Sequence, residues 1–170
     1  MKIGPQDCQD LARVLSLEWL EQNGRGGFAS GTVSGAHTRR YHALLLTARK
    51  PPSERFVLVN HLEEWLAIDA HVIPLSTNLY PGAVHPAGYE NCVEFSIDPW
   101  PIWTFACNGM RLQREILLIQ GRDLVIVRWT LLGRKNQRAL LRVRPKLTGR
   151  DYHGTHHENE SLSTEASIGD

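Results

Sequence analysis

The stretch Ile102-Trp103-Thr104-Phe105-Ala106-Cys107-Asn108-Gly109-Met110-Arg111-Leu112 carries the clearest fold signal in the chain. Its Asn108-Gly109 pair lies between two apolar runs, and both residues tolerate the positive φ angles that a two-residue type I′ turn demands. In the first run every second residue is Trp103, Phe105 or Cys107, which is the period of a strand with two different faces. The stretch therefore predicts a β-hairpin with arms at 102–107 and 110–119.

Two more strands follow this hairpin at short intervals. A polar turn at 120–123 leads into 124–132, which is rich in β-branched and aromatic residues. A second polar turn at 133–137 precedes 138–144, where Leu141 and Val143 alternate with arginines, as in a strand with one wet face. We expect the four strands to form one antiparallel meander.

Most of the chain upstream also reads as β-structure. Strands are predicted at 41–48, 56–60, 62–68 and 72–75, separated by proline, asparagine or charged residues. The segment 78–90 has two prolines, two glycines and little periodicity, which predicts an ordered loop. The resulting fold class is all-β, an antiparallel β-sandwich.

One segment near the N-terminus has helical periodicity instead. Within 7–21, Cys8, Leu11, Leu15 and Trp19 recur at helical spacing, and Asp7 is placed to cap the start. We expect a short helix that gives way to a strand near Trp19, so the fold has at most one or two short helices.

Length and composition exclude several classes of protein. A chain of 170 residues with 42% hydrophobic content suits a single domain, expected over 1–170. A net charge of +1 argues against nucleic acid or an anionic membrane as a partner and favours a neutral or sugar-like ligand. The odd number of cysteines, without C-x-x-C spacing, and the absence of a signal peptide predict a reducing, cytoplasmic location. No run approaches the roughly 18 apolar residues of a membrane span.

Two neighbouring segments carry a family resemblance. Asn23-Gly24-Arg25-Gly26-Gly27-Phe28-Ala29-Ser30-Gly31-Thr32 and Thr38-Arg39-Arg40-Tyr41-His42-Ala43-Leu44-Leu45 resemble the opening signature of bacterial and archaeal glycogen-debranching enzymes, the amylo-α-1,6-glucosidase family. Shorter similar segments extend the resemblance to His153, so it covers most of the chain. One departure is Ala43, where the family usually has glycine; a positive φ angle there would strain an alanine.

The resemblance implies a division of labour in a larger enzyme. The family has an N-terminal antiparallel sandwich, of the supersandwich type, followed by an (α/α)₆ barrel that hydrolyses α-1,6-glucosidic branch linkages. By this resemblance the chain is a non-catalytic N-terminal domain, inactive alone, that packs on the barrel and shapes its entrance. Its expected partners are the C-terminal catalytic domain of the same polypeptide and a glycogen-like glucan. We predict no catalytic residue, cofactor or metal within 1–170. The alternation of Leu162, Thr164, Ala166 and Ile168 stops at Asp170, so we expect the sequence to end inside its domain.

Twelve residues are candidates for substrate binding or interdomain contact. They are Asn23, Gly24, Gly26, Gly27, Arg39, Arg40, Tyr41, His42, Trp100, Asp151, Tyr152 and His153. The glycines suit either a tight turn packed against the sheet or a loop that borders a sugar site. If 39–42 starts a strand, Arg39 and Tyr41 point to one face and Arg40 and His42 to the other. The arginines then either pair with a carboxylate such as Glu18 or Glu63, beside a buried imidazole, or contact the partner.

Several alternatives remain open at this point. His153, His156, His157 and Glu158 form a metal-like cluster whose spacing matches no zinc motif and whose composition suits a surface loop. The basic residues between Arg134 and Lys146 favour a solvated strand face over a nucleic-acid strip. Trp103 and Trp129 are expected in the core, whereas Trp100 lies between prolines and is freer to line a groove. The competing functions are a stand-alone carbohydrate-binding sandwich, acting through Trp100, Tyr80 or Tyr89, and an assembly domain.

Overall fold

The computed structural model describes residues 1–133, 138–155, 163 and 165, which form thirteen strands, two short α-helices and one 3-10 turn. The elements follow in the order β1 (Lys2–Ile3), α1 (Pro5–Cys8), α2 (Leu11–Ser16), β2 (Glu18–Gln22), β3 (Phe28–Thr32), β4 (Ala43–Lys50), β5 (Ser53–Ile68), β6 (His71–Pro74), β7 (Thr77–Tyr80), β8 (Ala83–Ala87), the 3-10 turn (Gly88–Asn91), β9 (Cys92–Ile97), β10 (Pro101–Cys107), β11 (Met110–Leu118), β12 (Val125–Leu132) and β13 (Ala139–Asp151).

The strands form two main sheets. The first sheet has the order β1-β9-β10-β11-β12, and the second has the order β13-β5-β4-β3-β2, with β6 also paired to β5. Strands β7 and β8 form a separate two-stranded hairpin. All of these pairings are antiparallel, and the predicted all-β antiparallel sandwich with two short helices is confirmed.

The predicted hairpin at Asn108-Gly109 is present. Cys107 pairs with Met110, and Asn108 and Gly109 have φ angles of 45° and 79°. The alternating residues of β10 are buried, Trp103 almost completely. This is the outcome that the turn chemistry and the two-residue period predict together.

The predicted four-strand meander is wrong at its last strand. Strands β9 to β12 are consecutive neighbours in the first sheet, but β13 crosses to the second sheet and pairs with β5 along its length. The alternation of Leu141 and Val143 with arginines is typical of a strand with one solvent-exposed face. Such a strand fits either sheet, so the alternation does not identify the strand with which β13 pairs. Strand β13 also continues past the predicted end at Arg144, to Asp151.

Two upstream predictions are also corrected. The strands predicted at 56–60 and 62–68 are one strand, β5, whose pairing with β13 shifts register at Asn60: His61 pairs with Lys146 and Val59 with Leu147. The loop predicted at 78–90 is largely the β7–β8 hairpin, turned by Gly82 at a φ of 75°.

The N-terminal helical segment is divided in two. Helix α1 ends at Cys8, and α2 starts again at Leu11 with Asp10 as its cap, accepting a 3.1 Å hydrogen bond from the Arg13 amide. Asp7, the predicted cap, lies inside α1. The change to strand near Trp19 is confirmed by β2.

The main core lies between the two sheets. Phe95, Trp103 and Phe105 of the first sheet are buried with Leu66 and Ile68 of the second. A smaller cluster consists of Ala43, Leu46 and Val57, with Phe28 and Tyr152 packed against it. Neither helix of the described part of the chain has the length or apolar run that a bilayer crossing requires.

Candidate functional site

The first candidate segment is a tight turn, residues 23–27, called here the glycine turn. The side chain of Asn23 is fully buried at its base, and its Oδ1 accepts hydrogen bonds from the amides of Arg25 (2.9 Å) and Gly27 (3.0 Å). Its Nδ2 donates to the carbonyl of Arg122 (3.1 Å) and to the carboxylate of Asp123 (2.8 Å). Asn23 therefore fastens this turn of the second sheet to the β11–β12 connection of the first.

The glycines of this turn are in contact with protein. Gly26 has a φ of 91°, and a Cβ there would lie 2.7 Å from the carbonyl oxygen of Pro52. A Cβ at Gly27 would lie 2.8 Å from the carbonyl oxygen of Leu46. Of the two interpretations of the glycines, the turn packed against the sheet is the one that these contacts support.

The Arg39–His42 segment is a turn, so the predicted strand alternation does not apply to it. The His42 amide donates to the Arg39 carbonyl (3.0 Å), and β4 begins only at Ala43. Ala43 is fully buried and does not have a positive φ, so the departure from the usual glycine causes no backbone strain.

Within this turn, one arginine and the histidine share a carboxylate. Arg39 Nε lies 2.7 Å from Glu18 Oε1, and Nε2 of the buried His42 lies 3.3 Å from the same oxygen. His42 Nδ1 accepts a hydrogen bond from the Thr38 amide (3.2 Å). The interpretation as an ion pair beside a buried imidazole is confirmed for Arg39 and His42.

The other two residues of the turn meet the second candidate segment. Arg40 donates to the His153 carbonyl (3.2 Å) and to the Tyr41 hydroxyl (2.8 Å), which lies 3.3 Å from His153 Nδ1. The rings of Tyr41 and Tyr152 are 5.4 Å apart, and Asp151 accepts from the His153 amide (2.8 Å). We call Arg40, Tyr41, Tyr152 and His153 the tyrosine patch. The structure thus brings together two segments that are about 110 residues apart in sequence.

The glycine turn and the tyrosine patch lie at the same small hydrophobic cluster, but Trp100 does not. Phe28, next to the glycine turn, and Tyr152 of the patch both pack on that cluster. Trp100 lies in the connection between β9 and β10 of the first sheet, where its half-buried indole donates to Glu115 (3.0 Å). The structure therefore places Trp100 apart from the other candidates.

Between the sheets lies a polar group that the sequence did not reveal. Glu64 is fully buried, and its two carboxylate oxygens contact Arg114 Nη1 (2.6 Å) and Trp129 Nε1 (2.7 Å). The Arg114 guanidinium lies 4.1 Å from the ring centroid of Trp103, which is buried as predicted, whereas Trp129 is only half-buried. Glu64 and Arg114 are 50 residues apart, and no local pattern connects them.

A groove of about 380 Å³, called here the side groove, opens where β5, β7 and β13 meet the β3–β4 connection. Its lining includes His37, Asn60, His61, Glu63, Asn78, Tyr80 and Lys146. Burial, together with the neighbouring His61 and His42, lowers the pKa of His37 to about 3, and burial also lowers the pKa of His61. Both imidazoles are therefore neutral at pH 7.

The comparisons with known proteins give a family. The family profile described as "glycogen debranching enzyme N terminal" matches residues 17–168. The chain belongs to this family. No curated protein and no solved structure matches it. All twelve candidate residues of this debranching-enzyme N-terminal domain lie within the matched range.

Two buried carboxylates of this debranching-enzyme N-terminal domain, Glu63 and Glu115, are bound to arginines. Burial alone would raise the pKa of Glu63, but hydrogen bonds and charge from Arg144 and Lys146 outweigh it, so the pKa is lowered. Hydrogen bonds from Arg128 lower the pKa of Glu115 in the same way. Both groups are ionised at neutral pH and are bound to cations.

No metal centre is found in the part of the chain that the structure describes. Within residues 1–133, 138–155, 163 and 165, no three histidine, cysteine or acidic side chains are close enough together to hold an ion. His156, His157 and Glu158 of the metal-like cluster lie outside the described residues, as do Arg134 and Lys135 of the basic segment and the alternation that runs from Leu162 to Ile168.

Proposed function

We propose that this chain is the non-catalytic N-terminal domain of an enzyme that hydrolyses α-1,6-glucosidic branch linkages in glycogen-like glucans. In this proposal the domain packs on a helical catalytic barrel of the same polypeptide and shapes its entrance. The observation that carries the proposal is the family match over 17–168.

The state of three buried glutamates supports a structural role for them. Glycoside hydrolysis needs a protonated carboxylic acid and a second carboxylate about 5 to 10 Å apart, and the acid has a raised pKa. The carboxylates of Glu63, Glu64 and Glu115 are each bound to an arginine instead. An ionised carboxylate in an ion pair is a poor proton donor, so these residues suit structural work.

The exposed edge of the second sheet supports a packing role. Strand β13 is an edge strand, and its Leu140 and Leu147 are 55% and 60% exposed. The two leucines are seven residues apart and lie on opposite faces of the strand, and each is a large exposed apolar side chain at an unpaired sheet edge, where a further element can pack. The tyrosine patch adjoins this strand at its C-terminal end, beside Asp151.

The proposal is tested with the domain and the catalytic part of the parent protein expressed separately. We expect the purified 170-residue chain to release no glucose from a branched dextrin, and the two parts together to be active and to co-elute. Leu147→Asp is expected to raise the dissociation constant of the two parts at least tenfold, and so to reduce co-elution, because it places a charge in an apolar contact. The matched control is Leu20→Asp, since Leu20 is 57% exposed on β2 at the opposite edge of the same sheet. Debranching turnover by the 170-residue chain alone, or equal effects of the two substitutions, would contradict the proposal.

The alternative function, a carbohydrate-binding module, depends on aromatic residues that lie in different environments. The indole of Trp100 is bonded to Glu115, and the Tyr89 hydroxyl donates to Glu90 (3.4 Å). Tyr80 is 57% exposed and lines the side groove. Of these three side chains, Tyr80 is the one whose position favours a saccharide contact.

A further inference from the structure

The side groove has the dimensions of a small-molecule site. Its volume of about 380 Å³ falls within the range of ligand pockets, and several separate elements contribute to it. Asn60 and Glu63 come from β5, Asn78 and Tyr80 from β7, and Lys146 from β13. A groove assembled from distant parts of the chain on a sheet scaffold holds its polar groups in fixed positions.

The polar groups of the groove are partly oriented already. The Asn78 amide donates to Glu63 Oε1 (3.3 Å), and Asn60 lies between His37 (3.4 Å) and His61 (3.2 Å). Planar amides and carboxylates that are held in this way offer paired donors and acceptors to neighbouring hydroxyl groups. The lining is therefore unlike that of a site for an apolar ligand.

The charge of the groove argues for a neutral ligand. Glu63 forms ion pairs with Lys146, at 3.4 Å, and with Arg144. Glu63 offsets one of these two cations and the two imidazoles are uncharged at pH 7, so the groove keeps at most one net positive charge, whereas phosphate sites are typically built from several charged donors.

One buried donor at the groove adds a second observation. Asn60 Nδ2 approaches His61 Nδ1 at 3.2 Å, which makes Nδ1 the acceptor and leaves the proton of the neutral ring on Nε2. This Nε2 is buried and has no hydrogen-bond partner among the described residues. Buried polar atoms without partners are uncommon and costly, so this donor calls for a polar partner such as a water or a ligand.

We propose that the side groove binds a short neutral saccharide, with the pyranose ring stacked on Tyr80 and its hydroxyl groups bonded to Asn60, Asn78 and Lys146. An aromatic face fits the C–H face of a pyranose, and amide and ammonium groups bind its hydroxyls. This site does not require the domain to have a catalytic partner. It shares Lys146 of β13 with the proposed contact surface, but it includes no residue of the tyrosine patch.

The test is an NMR titration of the 170-residue chain with maltotriose and panose, with a glucuronate trisaccharide as the charged comparison. We expect saturable shifts of the amides of His37, His61 and Asn78 with the neutral sugars, and weaker binding of the charged one. Tyr80→Ala is expected to weaken binding about tenfold, the effect of losing a contact of about 1.4 kcal/mol.

Two matched variants separate binding from folding. Tyr80→Phe keeps the ring and is expected to keep most of the affinity, and Trp100→Ala changes an aromatic residue outside the groove and is expected to leave the titration unchanged. Absence of saturable shifts, or equal binding by Tyr80→Ala, would overturn the proposal. If Tyr80→Ala had no effect on sugar binding while the assembled enzyme still debranched dextrin, the groove would be excluded and the domain assignment would stand.

Discussion

Replacing Glu64 by glutamine is expected to destabilise the domain strongly, because the buried Arg114 loses its counter-ion. Glutamine keeps the shape of the side chain and an oxygen for the Trp129 indole, but it removes the charge that faces Arg114. The Arg114 and Glu64 side chains are 9% and 1% exposed, so water cannot replace the lost partner. Removing one member of a buried ion pair costs about 3–5 kcal/mol. That is a large part of the roughly 5–15 kcal/mol that stabilises a folded domain.

Urea unfolding at pH 7, followed by tryptophan fluorescence and circular dichroism, measures this loss. With a slope of about 2 kcal/mol per M, a loss of about 4 kcal/mol lowers the midpoint by about 2 M. The control is Glu54→Gln, which breaks the exposed pair with Lys50 and is expected to cost less than about 1 kcal/mol. The double variant Glu64→Gln/Arg114→Met is expected to recover part of the stability, because no unpaired charge is left buried. A Glu64→Gln midpoint equal to that of the original chain would refute the reasoning.

Three further predictions concern the glycine turn, the half-buried His37 and the cysteines. Gly26→Ala is expected to lower the free energy of unfolding by about 1–3 kcal/mol, measured by thermal unfolding, and Gly82→Ala by less. Both glycines have a positive φ, but only at Gly26 does an added Cβ come within 3 Å of another backbone segment. Equal losses would show that the Pro52 contact is unimportant. For His37, the folded state resists protonation until about pH 3, whereas the unfolded chain takes up a proton near pH 6.5. The contribution of the neutral His37 to the free energy of unfolding is therefore fully present above about pH 6.5. It is lost as the pH falls toward 3, by up to about 1.4 kcal/mol per pH unit. His37→Gln should flatten the decline between pH 7 and pH 5, and the exposed His85→Gln should not. Burial raises the pKa of Cys107 to about 11, and Cys8 and Cys92 are also buried. Iodoacetamide at pH 8 should then label the cysteines only after urea is added, as mass spectrometry would show; full labelling of the native chain would contradict this burial.

Local chemistry predicted the elements better than their partners. The Asn108-Gly109 turn and the alternation of β10 depend on neighbouring residues, so they could be read directly from the sequence. The pairing of β13 with the second sheet depends on which distant edge strand is available, and the alternation of apolar and polar residues does not contain that information. The polar His61 looked like a break between two strands, but it is the place where the pairing of β5 with the distant β13 shifts register, which no local pattern contains.

The candidate site was predicted only as separate segments. The sequence identified Arg40 and Tyr41 on one side and Tyr152 and His153 on the other, and the fold places them in contact. It did not show that Arg39 would bond to Glu18, rather than to Glu63, nor that Glu63 would be paired with Arg144. The side groove left no local signal either, because its lining comes from several strands and the β3–β4 connection.

The anchoring of Asn23 has a consequence for synthesis of the chain on the ribosome. Asn23 Nδ2, which fastens the glycine turn to the first sheet, has its partners about 100 residues later, at Arg122 and Asp123. The N-terminal hairpin of β2 and β3 therefore cannot reach its final, locked state until Asp123 has left the exit tunnel. A nascent chain stalled before that point should remain sensitive to protease near Asn23, and one stalled well after it should be protected.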